Sequence, residues 1–389
     1  MQQVIAVIGA KHMTVSGGKA AWIGLGAFAL MLLGALTLRS WLVDDAAISF
    51  AYARNLARYG VLAPQPGVMP VEGFSNPLWV AILAPFAGVC ELVVVLKTLA
   101  VGMMAWVCFR MATAFRRDGM VEANIALLLL ACQPAVIIWS FSGLENPLYL
   151  AAGVELLVRV CRAASGRASV ADSCAAGFAS ACLALTRPEG IIYAPLFVMA
   201  ALLSGNRQGV FKKAAFSMGI PVCVAAAYLI FRLCYFGSWV PNTYIAKGGP
   251  TLTRIVETVC LDLHTVSKLM ELSASVFTRH LQSWGAIAAV ALLVYAFRRG
   301  RLYGSLLGAL LFCLASASGY LLLPDDWMPE LRFATLFYPA FYLLLVSLCA
   351  PYGNPARALL IIFILFSAIT GYQRLIRFAQ SPTISFDEV

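Results

Sequence analysis

What most limits the folds open to this chain is a succession of long apolar runs, separated only by short polar or Pro/Gly-containing breaks. They lie near residues 20–42, 91–114, 121–140, 147–163, 171–187, 190–204, 214–233, 283–298, 302–323, 334–350 and 356–373. An uncharged run of about 20 residues spans the hydrocarbon of a bilayer as a helix. A segment in hydrocarbon must satisfy its own backbone hydrogen bonds, and the alternation that a barrel needs is absent, so the runs are predicted to be helices. The chain is 61% hydrophobic and 12% charged, too little polar surface to cover a water-soluble globule. The expected fold is an all-α polytopic membrane protein. It is a single domain over residues 1–389, with about 11 transmembrane helices and no soluble C-terminal domain.

The net charge of +10 comes from basic residues clustered between apolar runs: Lys11 and Lys19, Arg116 and Arg117, Arg159, Arg162 and Arg167, Arg207, Lys212 and Lys213, and Arg298, Arg299 and Arg301. This is the positive-inside pattern of a membrane protein, not a nucleic-acid-binding stripe. With eleven spans all of these clusters fall on one side, read as cytoplasmic together with the N-terminus. The first run is too long for a signal-peptide core and has no small-residue cleavage site before Asp44, so it is read as an uncleaved span. The other side receives two long segments, 43–90 and 234–282, predicted to be compact loops with short surface helices. Segment 77–90 is read as an interfacial helix with Trp79 at the headgroup level, because a span there would break the charge rule. Lys97 and Arg232 sit near spans, where both could snorkel. Eleven scattered cysteines and three histidines, with no CxxC, argue against structural zinc or a disulfide framework.

Five polar patches fall on the non-cytoplasmic side. Asp44 and Asp45 follow the first span; a solvated helix N-terminus explains two acids there equally well. After them DDAAISFAYARNLARYG reads as a helix with an apolar face at Ile48, Tyr52 and Leu56. Arg54 and Arg58 lie one turn apart, and Gly60 is the C-cap. A turn-rich loop follows, carrying Glu72 and Asn76. The second patch, WSFSGLENPL, holds Glu145 at a helix start, where a capping role is the plainer alternative. In the third, LTRPEG, Arg187 and Glu189 flank Pro188 and could be a simple interfacial ion pair. The fourth, YFGSWVPNTYIAKGG, carries Asn242, Tyr244 and Lys247. The fifth, PDDWMPELRF, carries Asp325, Asp326, Trp327 and Arg332; interface anchoring accounts for the Trp alone. Arg and Lys hold phosphate, a carboxylate deprotonates a hydroxyl, and aromatics stack on sugar faces. The mixture suits a lipid-linked phosphate beside a sugar.

The strings DDAAISFAYARNLARYG, VEGFSNPLW, SGLENPL, LTRPEG, VPNTYIAK and DDWMPELRF, running in order from residue 44 to 333, resemble the GT-C glycosyltransferases, and within them the AftB-type terminal arabinofuranosyltransferase family. The resemblance implies a GT-C-type bundle with a helical first periplasmic loop, in a bacterial inner membrane, with its active site on the periplasmic side. It implies transfer of arabinofuranose or another pentose from a polyprenyl-phosphate donor to a cell-envelope glycan, lipid or protein, with no nucleic-acid partner. Asp44 would be the catalytic carboxylate, with Asp45 beside it. Arg54, Glu72, Asn76, Glu145, Arg187, Glu189, Asn242, Tyr244, Lys247, Asp326, Trp327 and Arg332 would line the donor and acceptor cavity. Some relatives use a divalent cation (Mg, Mn or Ca), here held by Asp44, Asp45 and Glu145; others use none. Two departures are Ala51, where relatives carry Arg or a similar residue, and the missing C-terminal soluble domain. The alternatives are a lipid-linked sugar transporter or flippase, marked by charges or breaks within spans, and a non-catalytic envelope-assembly subunit, which would tolerate loss of Asp44.

Overall fold

The computed structural model describes residues 17–114, 121–205, 208–243, 256–258, 260, 262–277, 282–300, 302–323 and 328–384. Among the described residues the chain is helical and contains no strand. The helices are α1 (Gly17–Leu36), α2 (Ala46–Tyr59), α3 (Pro77–Leu83), α4 (Leu92–Ala114), α5 (Val121–Ala131), α6 (Pro134–Ser140), α7 (Asn146–Ala164), α8 (Val170–Thr186), α9 (Leu196–Leu203), α10 (Val210–Phe236), α11 (Leu263–Phe277), α12 (Gln282–Arg298), α13 (Gly304–Leu322), α14 (Phe337–Cys349) and α15 (Gly353–Gln380). Among the described residues four apolar segments are long enough to cross a membrane: α4, α10, α13 and the composite Phe337–Gln380. A bent pair, α5 with α6, makes a fifth if counted as one span. The protein is an all-helical membrane protein, and these four to five segments are fewer than the roughly eleven spans expected. Several apolar runs give short helices instead, among them Val170–Thr186 and Pro188–Leu203.

Two of these interruptions have a local cause. The run 121–140, expected to be one span, bends by 65° between Ala131 and Pro134. Proline has no N–H and its ring clashes with the carbonyl four residues back, so α5 cannot continue through Pro134. Gln133 N–H instead turns to Leu130 O at 3.1 Å, and α6 restarts with Pro134 in its first turn, where a missing N–H costs nothing. The break is buried in protein, which is where irregular backbone at membrane depth is tolerated. The run 190–204 is likewise split, into a 3-10 segment Pro188–Tyr193 and α9 beyond Pro195.

The bundle is organised around α7, which packs against α4, α8, α9 and α13. Small residues set the closest approach: a Cβ built on Gly308 of α13 would lie 2.6 Å from Cys161 Cα of α7. Small-residue contacts of this kind let helix backbones approach in lipid, where dispersion replaces the hydrophobic effect. From its middle onward α7 is tied by charge. Glu155 pairs with Arg110 of α4 and with Arg159, and Arg159 reaches Asp172 of α8 at 2.6 Å. Asp172 also closes a capping box with Ser169, in which each residue's side chain accepts the other's N–H.

The other end carries the segment 43–90. It has its own apolar cluster, in which Tyr52, Phe74, Trp79, Val80 and Leu83 pack on Leu96 of α4. The C-cap at Gly60 is as expected, left-handed with φ 67°. The buried face of α2 is not. It is Ala46, Ser49, Tyr52, Ala53 and Asn55, while Ile48 is exposed, because the helix turns Tyr52 and Ala53 into the apolar cluster of Phe74, Trp79 and Leu83. Segment 77–90 does form a short helix, but Trp79 is buried and donates its indole N–H to Gly143 O, so it is a strut and not a headgroup anchor. Lys97 does not snorkel either: its ammonium donates to Trp41 O at 2.8 Å and Phe141 O at 2.6 Å, pinning the chain just before Asp44. The final helix outlasts its expected end near residue 373 and continues to Gln380. Residues after it return to the Asp44 turn, where Asp44 N–H meets Ile384 O and Trp41 Nε1–H meets Thr383 O.

Candidate functional site

Four chain segments that are remote in sequence meet beside α7. Two connections fix where Asp44 and Asp45 sit: Val43 N–H donates to Ser142 O at 3.0 Å, and Lys97 holds the carbonyl of Trp41. Both acids are partly exposed. Asp44 Oδ1 accepts the N–H of Asp45 at 2.8 Å, which folds the turn and aims the pair. Asp45 occupies the N-cap of α2 but makes no side-chain cap. Its Oδ2 accepts from Arg332 Nη1 at 3.0 Å, so a helix start does not by itself account for Asp45.

Glu145 behaves in the same way. It lies at the N-cap position of α7 without capping it. Its Oε2 accepts from Asn76 Nδ2 at 2.8 Å and its Oε1 from Arg187 Nη1 at 2.8 Å. Asn76 also donates to Ser49 Oγ at 2.9 Å, which carries the network back to α2. Arg187 reaches Glu189 through Nε. The tight return after Arg187 requires Gly190, because a Cβ there would lie 2.1 Å from Leu183 O. Burial disfavours the Arg187 charge, but Glu189 and Glu145 outweigh that and hold its pKa above the ordinary guanidinium value.

The two arginines share one aromatic ring. Arg187 lies 4.4 Å from the Phe333 centroid and Arg332 lies 4.7 Å from it. Trp139 lies 5.9 Å from Arg332, and Tyr149 5.8 Å from Arg187. Desolvated contacts of this type are worth up to about 2 kcal/mol each. Arg332 follows Glu330 and Leu331, both at positive φ (62° and 47°), a conformation that costs non-glycine residues roughly 1–3 kcal/mol and persists only when surroundings enforce it. Here Trp139 Nε1–H donates to Glu330 O, and Arg374 pairs with the Glu330 carboxylate.

The cluster therefore joins Asp44, Asp45, Asn76, Glu145, Arg187, Glu189 and Arg332. It leaves out others expected beside them. Glu72 is buried but turned away, bound by Arg232 and Tyr228 of α10 at 2.6 and 2.7 Å. That pair accounts for Arg232, which does not snorkel. Asn242 is exposed, with its N–H on Glu72 O at 3.0 Å. Arg54 is exposed on α2. Tyr244, Lys247, Asp325, Asp326 and Trp327 lie outside the described residues. Among the described residues no group of three or more His, Cys, Asp or Glu is arranged to hold a metal. Asp44, Asp45 and Glu145 do not form the expected trio, since Arg332 occupies Asp45 while Asn76 and Arg187 occupy Glu145.

Three contributors carried too weak a sequence signal to be singled out. Asn146 donates to Arg332 O at 3.1 Å and keeps a buried Oδ1 without a hydrogen-bond partner. Phe333 and Trp139 read in sequence as ordinary membrane aromatics. A cavity of about 720 Å³ opens beside the Asp44 turn between the ends of α1 and α15, lined by Leu36, Arg39, Trp41, Ile376, Gln380 and Pro382 among others. The Trp41 ring packs edge-on against Trp139, at 6.3 Å between centroids, and so separates this cavity from Arg332. No family model, curated protein or solved structure matches the chain.

Proposed function

We propose that the protein is a membrane glycosyltransferase of GT-C type, moving a pentose such as arabinofuranose from a polyprenyl-phosphate donor to an envelope glycan, lipid or protein. The observation that carries this reading is the convergence of Asp44 and Asp45 with two arginines that share the Phe333 ring. The partly exposed Asp44 is the base. The acceptor oxygen attacks the anomeric carbon, the bond from that carbon to the phosphate oxygen breaks, and the hydroxyl proton passes to Asp44. Phosphate departs with the electron pair and needs no strong general acid. Arg332, paired with the partly exposed Asp45, meets the developing phosphate charge. Arg187 has two carboxylates already and serves as a brace.

In this reading the Asp44 end faces outward, across a bacterial inner membrane, and the end bearing Arg159, Arg162, Arg167, Arg298 and Arg299 faces the cytoplasm. The test is mass spectrometry of surface glycans from cells carrying Asp44→Asn at unchanged protein level. A base contributes about 10²–10⁴-fold, so the pentose product should vanish. Normal glycans would remove Asp44 from the mechanism. A missing hexose would change the donor.

One observation favours a transporter instead: the buried break at Gln133–Pro134, next to the Arg374–Glu330 pair and Ser275. A transporter would move labelled lipid-linked sugar across proteoliposome membranes without acceptor, and that assay separates the two classes.

A further inference from the structure

A second cavity, of about 470 Å³, lies at the end of the bundle opposite Asp44. It is bounded by helix ends: the last residues of α7, α9 and α14, the first turn of α13, and the last turns of α12. Where membrane-crossing helices stop is where lipid headgroups begin, so the cavity sits at headgroup depth. Tyr295, Tyr303 and Tyr352 line it, each at least 40% exposed, as amphipathic aromatics do at that depth. Arg167 is the charged residue among its lining, and no carboxylate lines it among the described residues. Arg299 adds a second cation at the rim, 5.4 Å from the Tyr295 ring centroid.

Among the groups lining it are hydrogen-bond donors. Ser347 lines it, and the Ser347 hydroxyl is buried without a hydrogen-bond partner. The N-terminus of α13 has Tyr303 in the N-cap position with no side-chain cap, so its first-turn N–H groups face a position that favours an anion. The closing carbonyls of α7 oppose an anion less than they otherwise would, because Ser165 Oγ–H takes Cys161 O at 2.8 Å. An exposed arginine, an uncapped helix start, an orphan hydroxyl and a tyrosine rim at headgroup depth complement a phosphodiester with apolar chains attached. Basic pockets between transmembrane helices hold anionic headgroups in this way.

We infer that this cavity binds the headgroup of an anionic glycerophospholipid, with its acyl chains running along the adjoining helices. The site is independent of the Asp44 cluster and of the transfer reaction.

The experiment uses the full chain, purified in detergent and stripped of lipid, with binding read by native mass spectrometry. Phosphatidylglycerol should add as one tightly held lipid, and phosphatidylcholine should not. Arg167→Gln should weaken the phosphatidylglycerol adduct at least about tenfold, the loss of one charge-assisted contact, and Arg167→Lys should retain part of it. Competition by inorganic phosphate at equal concentration would show a free-anion site and overturn the lipid assignment. Unchanged binding in Arg167→Gln would overturn the site. If that variant fails to fold, a headgroup-diazirine phosphatidylglycerol cross-linked to the wild-type chain decides. Adducts on peptides containing Tyr295, Tyr303 or Ser347 support the inference, and adducts confined to other peptides refute it.

Discussion

The brace around Arg187 gives the most quantitative test of the site. Arg187, Glu145 and Glu189 have side chains only 11%, 7% and 15% exposed. Replacing Arg187 with Met keeps most of the volume but strands two carboxylates in a desolvated cluster. Breaking a buried pair from one side costs about 3–5 kcal/mol, mostly from the uncompensated charge. Glu145→Gln alone removes one charge-assisted bond and leaves Glu189 to hold Arg187, for about 1.5–3 kcal/mol. The double variant removes the stranded Glu145 charge, and the amide oxygen introduced by Glu145→Gln can still accept from Asn76. It should therefore be no worse than Arg187→Met, with a coupling of at least about 1.5 kcal/mol between the two changes. The assay is reversible unfolding in mixed SDS micelles, followed by far-UV circular dichroism. Strictly additive losses would refute the reasoning, as would an Arg187→Met protein as stable as wild type.

Further outcomes follow from single contacts. Lys97→Met releases the carbonyls of Trp41 and Phe141, so product formation should fall roughly tenfold or more at unchanged expression, as expected when a reacting group is displaced by about 1 Å; equal turnover would mean that the Asp44 turn is held by other contacts. Gly308→Ala forces a methyl to within 2.6 Å of Cys161 Cα and should cost about 1–3 kcal/mol in the same unfolding assay; no loss would mean that α7 and α13 separate freely. Glu72→Gln removes the charge that binds Arg232 and Tyr228, and the exposed stretch before it should be cut faster in limited proteolysis. Cys90 is exposed at the Asp44 end, so an impermeant maleimide should label it in intact spheroplasts when it is the one cysteine kept in a chain whose other ten are changed to Ser; labelling only after lysis would invert the proposed orientation.

Much of the site was visible in the chain, because charge is rare where most residues must face lipid. Asp44, Asp45, Glu145, Arg187, Glu189 and Arg332 stood out for that reason, and all six take part in the cluster. Glu72 stood out in the same way but pairs outside the cluster, since rarity marks a charged residue without naming its partner. Lys97 and Arg232 pose a related problem: near a span, snorkelling and pairing leave the same trace in sequence, and only the neighbours decide.

Sequence alone determined the solvent and the secondary structure. Long uncharged runs require lipid around them, and lipid requires helices, so an all-helical membrane protein follows without any tertiary information. Tertiary structure decided how many of those runs are long single helices, because Pro134 and Pro195 break backbones that hydropathy treats as continuous. It also decided the partners of each charge in the cluster. Hydropathy places a residue along the membrane normal, whereas chemistry depends on its neighbours in the plane, and these come from four segments that only packing around α7 brings together. The turn at Asp44 shows the difference: its two acids are obvious in the chain, but Arg332, 287 residues away from Asp45, completes them.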